Sequence, residues 1–258
     1  MNVLDLFSGI GGFSLGLERA GMRTVVFCEV DAWCRDQLAR NWPEVPAFDD
    51  VQTLTGAAVG AVDVICGGFP CQDISTAGRR AGIDGPRSGL WSQYSRIIGE
   101  LRPRFVIVEN VAALLNLGLG RVLGDLAALG YDAEWHCISG AAIGAPHLRE
   151  RIWIIAYPAG DRCEGKLREA LAQALDDLSS KALGPWHGTG HPFEDWRKLL
   201  DQPELRRMDD GVSSTLDIRP RLHAYGNSVF PQIPEAIGRA IMRASMVTSQ
   251  DRSTPNQG

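Results

Sequence analysis

The sequence lacks the hallmarks of several protein classes. Its six cysteines include no Cys-x-x-Cys pair, which argues against a disulfide framework and against a zinc knuckle. No apolar run approaches the roughly 20 residues that a membrane-spanning helix needs, and no positively charged leader precedes Leu4. Repeats and an excess of positive charge are also missing, since the formal net charge is −5. We expect a cytoplasmic protein with reduced thiols and no membrane association.

One cysteine is set apart by its position after a glycine turn. The run Gly67-Gly68-Phe69-Pro70-Cys71 follows the apolar segment 61–66. Loops at the carboxyl ends of the strands of an open α/β sheet are where ligands bind. The glycines let the backbone approach a substrate, and Pro70 restricts where the thiol points. Cys71 is therefore a candidate nucleophile, with a loop cysteine of no consequence as the alternative. Cys66, inside the apolar run, is typical of a structural cysteine.

The amino terminus has the pattern of a nucleotide-binding βαβ unit. A short apolar strand over 2–7 leads into a glycine turn over 8–14 and an amphipathic run over 15–21. The next strand ends at Glu29, about twenty residues after the first glycine, where a carboxylate can accept hydrogen bonds from ribose hydroxyls. Ser14 stands in place of the third glycine of the dinucleotide motif. The turn therefore favours a nucleoside cofactor without phosphates, and S-adenosylmethionine suits it better than a dinucleotide.

Two later segments also place charged groups beside apolar strands. The run 105–111 is a buried strand that ends near Glu109, which we expect on the same sheet edge as Cys71. A surface salt bridge is the alternative role for Glu109. Arg149 and Arg151 alternate into the apolar run 152–155, so we expect both on one face of a strand. Two guanidinium groups there are costly to bury unpaired and should meet an anion or a polar substrate.

Five ordered motifs resemble those of one enzyme family. They are Asp5-Leu6-Phe7-Ser8-Gly9-Ile10-Gly11-Gly12, Gly68-Phe69-Pro70-Cys71-Gln72, Glu109-Asn110-Val111, Arg149-Glu150-Arg151 and Gly226-Asn227-Ser228-Val229. In order and approximate spacing they are similar to the motifs of the DNA (cytosine-5) methyltransferases along nearly the whole chain. His147 replaces the usual glutamine, and the family's Arg-Leu-x-Gly-[FY] segment is not found. In this respect the chain resembles short phage- and prophage-type members.

The resemblance implies a reaction and a set of site residues. S-adenosylmethionine would be the cofactor and double-stranded DNA the substrate, with no metal. The residues implied for the cofactor site are Phe7, Gly9, Gly11, Glu29, Asp50, Leu90 and Asn227. The residues implied for catalysis are Cys71 as nucleophile, Glu109 as the group that grips the cytosine ring nitrogen, and Arg149 and Arg151 in the pocket. Covalent attack by Cys71 on a flipped cytosine would activate carbon 5 for methylation.

Local charge favours DNA binding although the total charge is negative. Phosphates respond to charges within about a Debye length, roughly 8 to 10 Å. Six arginines against two acidic residues lie in the range 79–104, and we expect these arginines to form a basic strip that contacts phosphates. We expect Arg79 and Arg80 to contact DNA phosphates, and a solvated basic surface is the alternative.

The pattern of strands and helices along the sequence predicts a large catalytic domain with a second, small domain. Alternating strands and helices up to residue 156 predict a doubly wound, mostly parallel α/β sheet. The resemblance implies that this sheet has the S-adenosylmethionine-dependent methyltransferase fold. The catalytic domain would comprise 1–156 plus 221–246, a target-recognition segment 157–220, and a flexible tail 247–258. A final helix from Pro231 should bring Asn227 beside the glycine turn. His187 and His191 lie in a glycine-rich loop without a third ligand nearby, so surface histidines are favoured over a metal site.

Three other functions fit parts of the sequence. A branch of the same family methylates tRNA with these motifs, and a non-catalytic relative could hold DNA or cofactor without turnover. A nicotinamide-dependent oxidoreductase would share the first βαβ unit but has no need of the Pro-Cys loop or the paired arginines. We therefore expect a monomeric bacterial enzyme that methylates a specific DNA sequence, in a restriction–modification system with a cognate endonuclease or in phage self-protection.

Overall fold

The computed structural model describes residues 1–70, 90–143, 149–161, 165–182 and 228–250. Four predicted site residues, Cys71, Arg79, Arg80 and Asn227, lie outside these ranges. Most of the expected recognition segment, with His187 and His191, and the last eight residues lie outside them as well.

A seven-stranded sheet forms the centre of the fold. Its strands are β1 (Asn2–Leu6), β2 (Arg23–Cys28), β3 (Ala47–Phe48), β4 (Val64–Gly68), β5 (Phe105–Val111), β6 (Tyr131–Ile138) and β7 (Arg151–Pro158). Their spatial order is β3-β2-β1-β4-β5-β7-β6. Strands β1 to β5 pair in parallel, whereas β7 is antiparallel to both β5 and β6. The predicted doubly wound, mostly parallel sheet is confirmed, and the reversal of β7 brings the start of that strand to the carboxyl edge of β5.

Eight α-helices and one 3₁₀ turn, Gly140–Ile143, occur in the described ranges. The helices are α1 (Gly12–Arg19), α2 (Ala32–Asn41), α3 (Gly56–Val59), α4 (Leu90–Leu101), α5 (Leu114–Leu117), α6 (Leu119–Ala128), α7 (Lys166–Ala182) and α8 (Gln232–Gln250). Side chains start two of them, because Asp31 accepts the Cys34 N–H at 2.9 Å before α2 and Thr55 accepts the Ala58 N–H at 3.4 Å before α3. None of these helices is both long and apolar enough to cross a membrane.

Two hydrophobic cores cover the two faces of the sheet. On one face, α4 and α6 bury residues such as Trp91, Tyr94 and Val122 against β4, β5 and β7. On the other face, α1, α7 and α8 bury residues such as Phe13 and Ile237. The helices lie on the two faces of the sheet, and a doubly wound sheet binds its ligands at the carboxyl edge of its strands, here that of β1, β2, β4 and β5.

The final helix returns to the first one, as predicted. A Cβ on Gly16 would lie 2.2 Å from the Pro231 carbonyl oxygen, and a Cβ on Gly238 would lie 2.7 Å from the Cβ of Ala20. Only glycine permits contacts this close, so α1 and α8 pack backbone against backbone. The segment just before α8 therefore lies against the glycine turn, and α8 itself extends to Gln250, into the segment expected as the tail.

Helix α7 differs from the sequence expectation. We expected residues from 157 onward to form the recognition segment, yet α7 packs on α8, and its residues Leu167 and Leu171 are buried in the core beside Ile233 and Ile237. The physical reason is its apolar stripe, which finds a partner in the returning helix. Helix α7 therefore packs into the same hydrophobic core as α1 and α8.

The arginines at the end of the expected basic strip are engaged within the protein. Arg96 donates to the Val51 and Leu54 carbonyl oxygens at 3.0 and 2.8 Å and pairs with Glu100 at 2.6 Å. Arg102 donates to the Leu129 carbonyl, and Arg104 lies over the Phe105 ring at 5.3 Å. Arg102 and Arg104 precede β5, so they lie at the edge of the sheet opposite to Glu109. The basic strip thus does not extend through these three residues.

Candidate active site

The register of the sheet places Glu109 where the sequence predicted it. Glu109 lies near the carboxyl end of β5. It pairs with Gly68 of the parallel strand β4 and with Trp153 of the antiparallel strand β7. Because β4 and β5 run in parallel, both end at the same edge of the sheet. The chain that leads from Gly68 towards Cys71 therefore leaves the sheet next to Glu109.

Glu109 and Arg151 form an ion pair at this edge. Arg151 begins β7 opposite Val111, which shares a face of β5 with Glu109, so the two charged side chains are diagonal neighbours. The Nε of Arg151 lies 3.0 Å from Oε1 of Glu109, with the side chains 25% and 14% exposed. Glu109 is thus a paired strand-end carboxylate. It nonetheless differs from the surface salt bridge that was the alternative, because little of it reaches solvent.

Burial changes the acidity of Glu109. It raises the pKa of this carboxyl from 4.5 to about 7, against the opposing effect of the nearby Arg151 and Arg149 guanidinium groups. A carboxyl with a pKa near 7 is populated in both protonation states at neutral pH. It can therefore donate a hydrogen bond as the acid and accept one as the carboxylate, which is the property that acid–base chemistry at neutral pH requires.

Gly68 provides the space that the Glu109 side chain occupies. A Cβ on Gly68 would lie 2.6 Å from Oε2 of Glu109. The substitution Gly68→Ala should therefore displace the carboxylate and disturb its pairing with Arg151. The methyl transfer that the sequence motifs predict should then fall by about tenfold or more, because a displacement of about 1 Å is costly for a group that acts in the reaction. The measurement is the steady-state rate of the purified variant.

Gly124→Ala is the matched control for Gly68→Ala. Gly124 lies inside α6, and a Cβ there would meet nothing within 4 Å. This variant should keep the wild-type rate and gain slightly in stability, because alanine is the better helix former. Equal rates for Gly68→Ala and Gly124→Ala would show that the position of the Glu109 carboxylate does not limit the reaction.

Asn110 fixes the chain just before Cys71. Its side-chain Nδ2 donates to the Phe69 carbonyl oxygen at 3.1 Å, and its Oδ1 accepts the Val111 N–H at 2.9 Å. The side chain is buried, so these hydrogen bonds satisfy an otherwise costly amide. Asn110 thereby ties the end of β5 to the residue two positions before Cys71. Sequence analysis assigned no role to Asn110, and the available signal was an amide at the end of a buried strand.

Arg149 lies outside the strand that was predicted to carry it. It precedes β7 and has a φ of 26°, so the alternation along β7 does not place it on the same face as Arg151. Its Nη2 donates to the Ser228 carbonyl oxygen at 3.0 Å, and its guanidinium lies 5.9 Å from the centre of the Phe230 ring. The structure thus brings Arg149 to the segment before α8, at the same edge of the sheet.

The predicted cofactor turn has the backbone that its sequence suggested. Phe7, Gly9 and Gly11 have φ angles of 55°, 54° and 87°, a region that only glycine occupies without strain. Phe7 stacks on Tyr94 at 6.2 Å, which helps to hold its strained backbone. A Cβ on Gly9 would meet nothing within 4 Å. Among the described residues, nothing therefore fills the space next to the Cα of Gly9.

Glu29 faces this turn at the end of β2. Its Oε2 accepts the Gly9 N–H at 2.7 Å, and its Oε1 accepts the Asp31 N–H at 2.8 Å. Each carboxylate oxygen can accept a second hydrogen bond, so acceptor capacity is left for a ligand. The neighbouring Val30 side chain is 79% exposed, which leaves an apolar surface beside the carboxylate.

The remaining predicted cofactor residues lie around the same edge. Asp50 follows β3, which is next to β2, and its Oδ1 accepts the Gln52 N–H at 2.8 Å. Leu90 begins α4, is half-buried and packs on the core that also contacts Phe7. Asp50 and Leu90 are far apart in the sequence and belong to different elements. The order of the strands in the sheet is what places them at the same carboxyl edge.

A buried carboxyl behind the glycine turn escaped the sequence analysis. Asp5 on β1 is fully buried, and its Oδ2 accepts the Ser14 hydroxyl at 2.7 Å. Burial raises the pKa of Asp5 from 3.8 to about 7, partly offset by hydrogen bonds from Ser14 and Cys66 and reinforced by Glu29. The serine in place of the third motif glycine therefore ties α1 to β1. That substitution was the signal for this contact.

Solved structures share the fold of this chain. The S. pombe Dnmt2 methyltransferase superposes with a TM-score of 0.56 over 98% of this chain and all of that chain (100%), at 15% identity. The Entamoeba histolytica methyltransferase EhMeth gives a TM-score of 0.55 over 99% of each chain, at 16% identity. At these identities the likeness shows the fold, which is the methyltransferase fold.

Sequence relatives define the family. The Type II methyltransferase M.DsaV of Dactylococcopsis salina is 33% identical over 245 residues, which cover 89% of this chain and 70% of that protein. The Type II methyltransferase M2.BsuMI of Bacillus subtilis (strain 168) is 37% identical over 164 residues, which cover 60% of this chain but only 42% of that longer protein. The profile of the C-5 cytosine-specific DNA methylases matches residues 1–183. The chain therefore belongs to the C-5 cytosine-specific DNA methylase family.

Proposed function

We propose that this protein is a DNA (cytosine-5-)-methyltransferase that transfers a methyl group from S-adenosylmethionine to carbon 5 of cytosine in a specific duplex sequence. The observation that carries this proposal is the largely desolvated Glu109–Arg151 pair, with Nε of Arg151 3.0 Å from Oε1 of Glu109, at the edge of the sheet where β4 ends two residues before Pro70-Cys71. A carboxyl and a guanidinium held side by side match the ring nitrogen and the carbonyl oxygen of cytosine, which are adjacent on its base-pairing edge.

The residues at the end of β1 and β2 fit S-adenosylmethionine. The Glu29 carboxylate has acceptor capacity for two ribose hydroxyls, and the exposed Val30 side chain offers an apolar surface for a purine. The open space at Gly9 admits a ligand close to the backbone. When bound, S-adenosylmethionine supplies an electrophilic methyl group on a sulfonium. The residues proposed to hold it are Phe7, Gly9, Gly11, Glu29, Asp50, Leu90 and Asn227.

Cys71 is proposed as the nucleophile. Its thiolate adds to carbon 6 of cytosine, which makes carbon 5 nucleophilic enough to accept the methyl group. As the methyl group bonds to carbon 5, its bond to the sulfonium sulfur breaks and S-adenosylhomocysteine is left. Loss of the carbon-5 proton to water then restores the carbon 5–carbon 6 double bond and expels the thiolate, so the protein is regenerated. The hydrogen bond from Asn110 to the Phe69 carbonyl supports this role, because it fixes the backbone two residues before the thiol.

Glu109 and Arg151 are proposed to hold the cytosine ring. Ring nitrogen 3 is an acceptor, so only the protonated Glu109 can donate to it, and a pKa near 7 keeps that form populated at neutral pH. Arg151 would donate to the carbonyl oxygen while it holds the Glu109 carboxyl in place. Preorganised partners of this kind stabilise the negative charge that develops on the ring after thiolate attack.

The partly buried Glu109 and Arg151 side chains cannot contact a base that is stacked inside a duplex, so the target cytosine must flip out. We propose that Arg79 and Arg80 contact phosphates and that the part of segment 157–220 after α7 reads the sequence. If both arginines touch phosphate, their joint replacement by Ala should flatten the salt dependence of DNA affinity by up to about two units in slope. Equal slopes in salt titrations on one duplex would remove them from the interface.

The setting of the reaction is also a proposal. The named relatives are Type II methyltransferases, and such a role here would be protection of DNA in a restriction–modification system or of phage DNA. We propose a monomer in the bacterial cytoplasm, paired with a cognate endonuclease in the first case.

Methylation mapping tests the proposed function. The gene would be expressed in a bacterial strain without cytosine-5 methylation, and its DNA analysed by bisulfite sequencing. We expect protected cytosines in one short sequence context, and none in cells that express the Cys71→Ser variant. Genomic DNA without protected cytosines, from cells that contain folded protein, would contradict the proposal.

Loss of the Glu29 carboxylate should weaken cofactor binding. Glu29→Ala removes two ribose contacts and the acceptor of the Gly9 N–H, so we expect a loss of about 1 to 3 kcal/mol in S-adenosylmethionine binding by calorimetry. Glu100→Ala is the matched control, because Glu100 also accepts a distant backbone N–H, from Gly56 at 2.7 Å, but lies outside the site. Wild-type affinity in Glu29→Ala would place the nucleoside elsewhere.

A further inference from the structure

The contacts of Arg149 suggest a role different from that of Arg151. Its guanidinium donates at 3.0 Å to a backbone carbonyl, that of Ser228, and lies over the ring of Phe230. Because the acceptor is a backbone carbonyl, this hydrogen bond holds the main chain at residue 228 and does not depend on the side chain there. Arg149 thus grips the short segment 228–230, which leads into α8.

The same segment also contacts the chain at the predicted cofactor turn. A Cβ on Gly12 would lie 2.5 Å from the Val229 carbonyl oxygen, so the segment touches the backbone at the start of α1. Gly12 directly follows Gly11, whose φ of 87° shapes the turn. The segment 228–230 therefore contacts both Arg149 and the start of α1 just after the glycine turn.

The backbone conformation and the surroundings of Arg149 are both energetically unfavourable. Its φ of 26° is unfavourable for a residue with a side chain. Burial and the neighbouring Arg151 lower the pKa of its guanidinium, whereas Glu109 raises it. A cation that is partly desolvated beside a second cation is retained only where its contacts offset that cost. The Ser228 carbonyl and the Phe230 ring provide two such contacts.

We propose that Arg149 is a positioning residue that latches segment 228–230 against the glycine turn and so couples the cytosine grip to the cofactor pocket. This inference rests on the proposed function, because the pocket is taken to bind S-adenosylmethionine. Only one residue separates Arg149 from Arg151, which pairs with Glu109. The two arginines therefore have different roles. Arg151 holds the base together with Glu109, and Arg149 holds segment 228–230 beside the cofactor site.

Cofactor binding without DNA tests the latch. S-adenosylmethionine would be titrated by calorimetry into the full-length wild type and into Arg149→Ala, Arg149→Lys and Phe230→Leu. We expect the Kd to rise about tenfold in Arg149→Ala, the cost of one charge-assisted hydrogen bond, and less in Arg149→Lys and Phe230→Leu, which each keep part of the contact. In steady-state assays with DNA, the KM for the cofactor should rise by a larger factor than kcat falls.

Arg104→Ala is the matched control for the loss of an arginine stacked on an aromatic ring. Its guanidinium lies 5.3 Å from the Phe105 ring, at the opposite edge of the sheet, so its cofactor affinity should equal that of the wild type. If Arg149→Ala does not fold, Arg149→Lys and Phe230→Leu decide.

The outcomes separate the latch from other roles. Unchanged cofactor Kd in the folded Arg149 variants would overturn the latch, and a loss of DNA affinity alone would show instead that Arg149 contacts the substrate. A drop in melting temperature with unchanged Kd would indicate a merely structural contact and would also overturn it. Wild-type protein that binds no S-adenosylmethionine would contradict the proposed function itself, whereas binding that Arg149 does not affect would contradict only the latch.

Discussion

Replacing Cys71 by Ser should reduce methyl transfer by roughly a thousandfold or more, while S-adenosylmethionine still binds. A serine hydroxyl is far less ionised than a thiol at neutral pH, and the thiolate is the nucleophile. Loss of a nucleophile ranks among the largest single-residue effects on an enzyme. The measurement is transfer of tritium from labelled S-adenosylmethionine to duplex DNA, with cofactor affinity determined by calorimetry on the same preparation.

Cys137→Ser is the control for the loss of a thiol. Cys137 is an exposed free cysteine on β6, the edge strand on the far side of β7 from β5, and its replacement should leave transfer at the wild-type level. Cys66 is unsuited to nucleophilic attack, because burial raises the pKa of its thiol well above 9.0, with a further increase from Asp5. Substantial turnover by Cys71→Ser would remove Cys71 from the proposed mechanism.

Glu109→Gln should reduce transfer by about 10² to 10³-fold, the usual cost of losing one group that stabilises transition-state charge. Glutamine keeps the size of the side chain and an oxygen for Arg151, but it cannot release a proton to the ring. The effect should appear in kcat at saturating cofactor and DNA. A Glu109→Gln enzyme with the wild-type kcat would show that the proton of Glu109 takes no part.

The raised pKa of Glu109 also predicts two pH profiles. If the acid form is required, the wild-type rate should fall as the pH rises through about 7, whereas Glu109→Gln should lose this falling limb. For stability, a carboxyl whose folded-state pKa exceeds the unfolded value of 4.5 contributes most below pH 4.5, and this contribution is lost as the pH rises to about 7.

Denaturant titrations can detect the stability profile. Between pH 4.5 and 7 the free energy of unfolding should decline less in Glu109→Gln than in the wild type. Part of the decline should remain, because the pKa of the buried Asp5 carboxyl is also raised to about 7. Parallel curves for the wild type and Glu109→Gln would mean that the folded protein does not hold the Glu109 proton more tightly than the unfolded chain.

The apolar strands were predictable from the sequence because burial on both faces leaves a continuous apolar run. Strand β5 coincides with the predicted range 105–111, and the final helix, predicted from Pro231 onward, begins at Gln232. The direction of β7 was not readable, because an apolar run looks the same in a parallel and an antiparallel strand. That reversal is what sets Arg151, rather than the end of β7, beside Glu109.

Contacts between distant segments were the part of the site that sequence reasoning missed. The hydrogen bond from Asn110 to Phe69 and the one from Arg149 to Ser228 join residues 41 and 79 positions apart. Both acceptors are backbone carbonyls, which carry no signal in the residue type. The hydrogen bonds from Arg96 to the Val51 and Leu54 carbonyls were hidden for the same reason, whereas its i,i+4 pair with Glu100 was readable from the sequence.

Labelled methyl transfer with purified protein tests the central claim most directly. Tritiated S-adenosylmethionine would be incubated with the protein and either duplex DNA or tRNA, and the products digested to nucleosides. The proposed function predicts label in 5-methyldeoxycytidine from DNA, dependent on Cys71, and none above background from tRNA. Label confined to tRNA, or no label in either nucleic acid from protein that binds the cofactor, would contradict it.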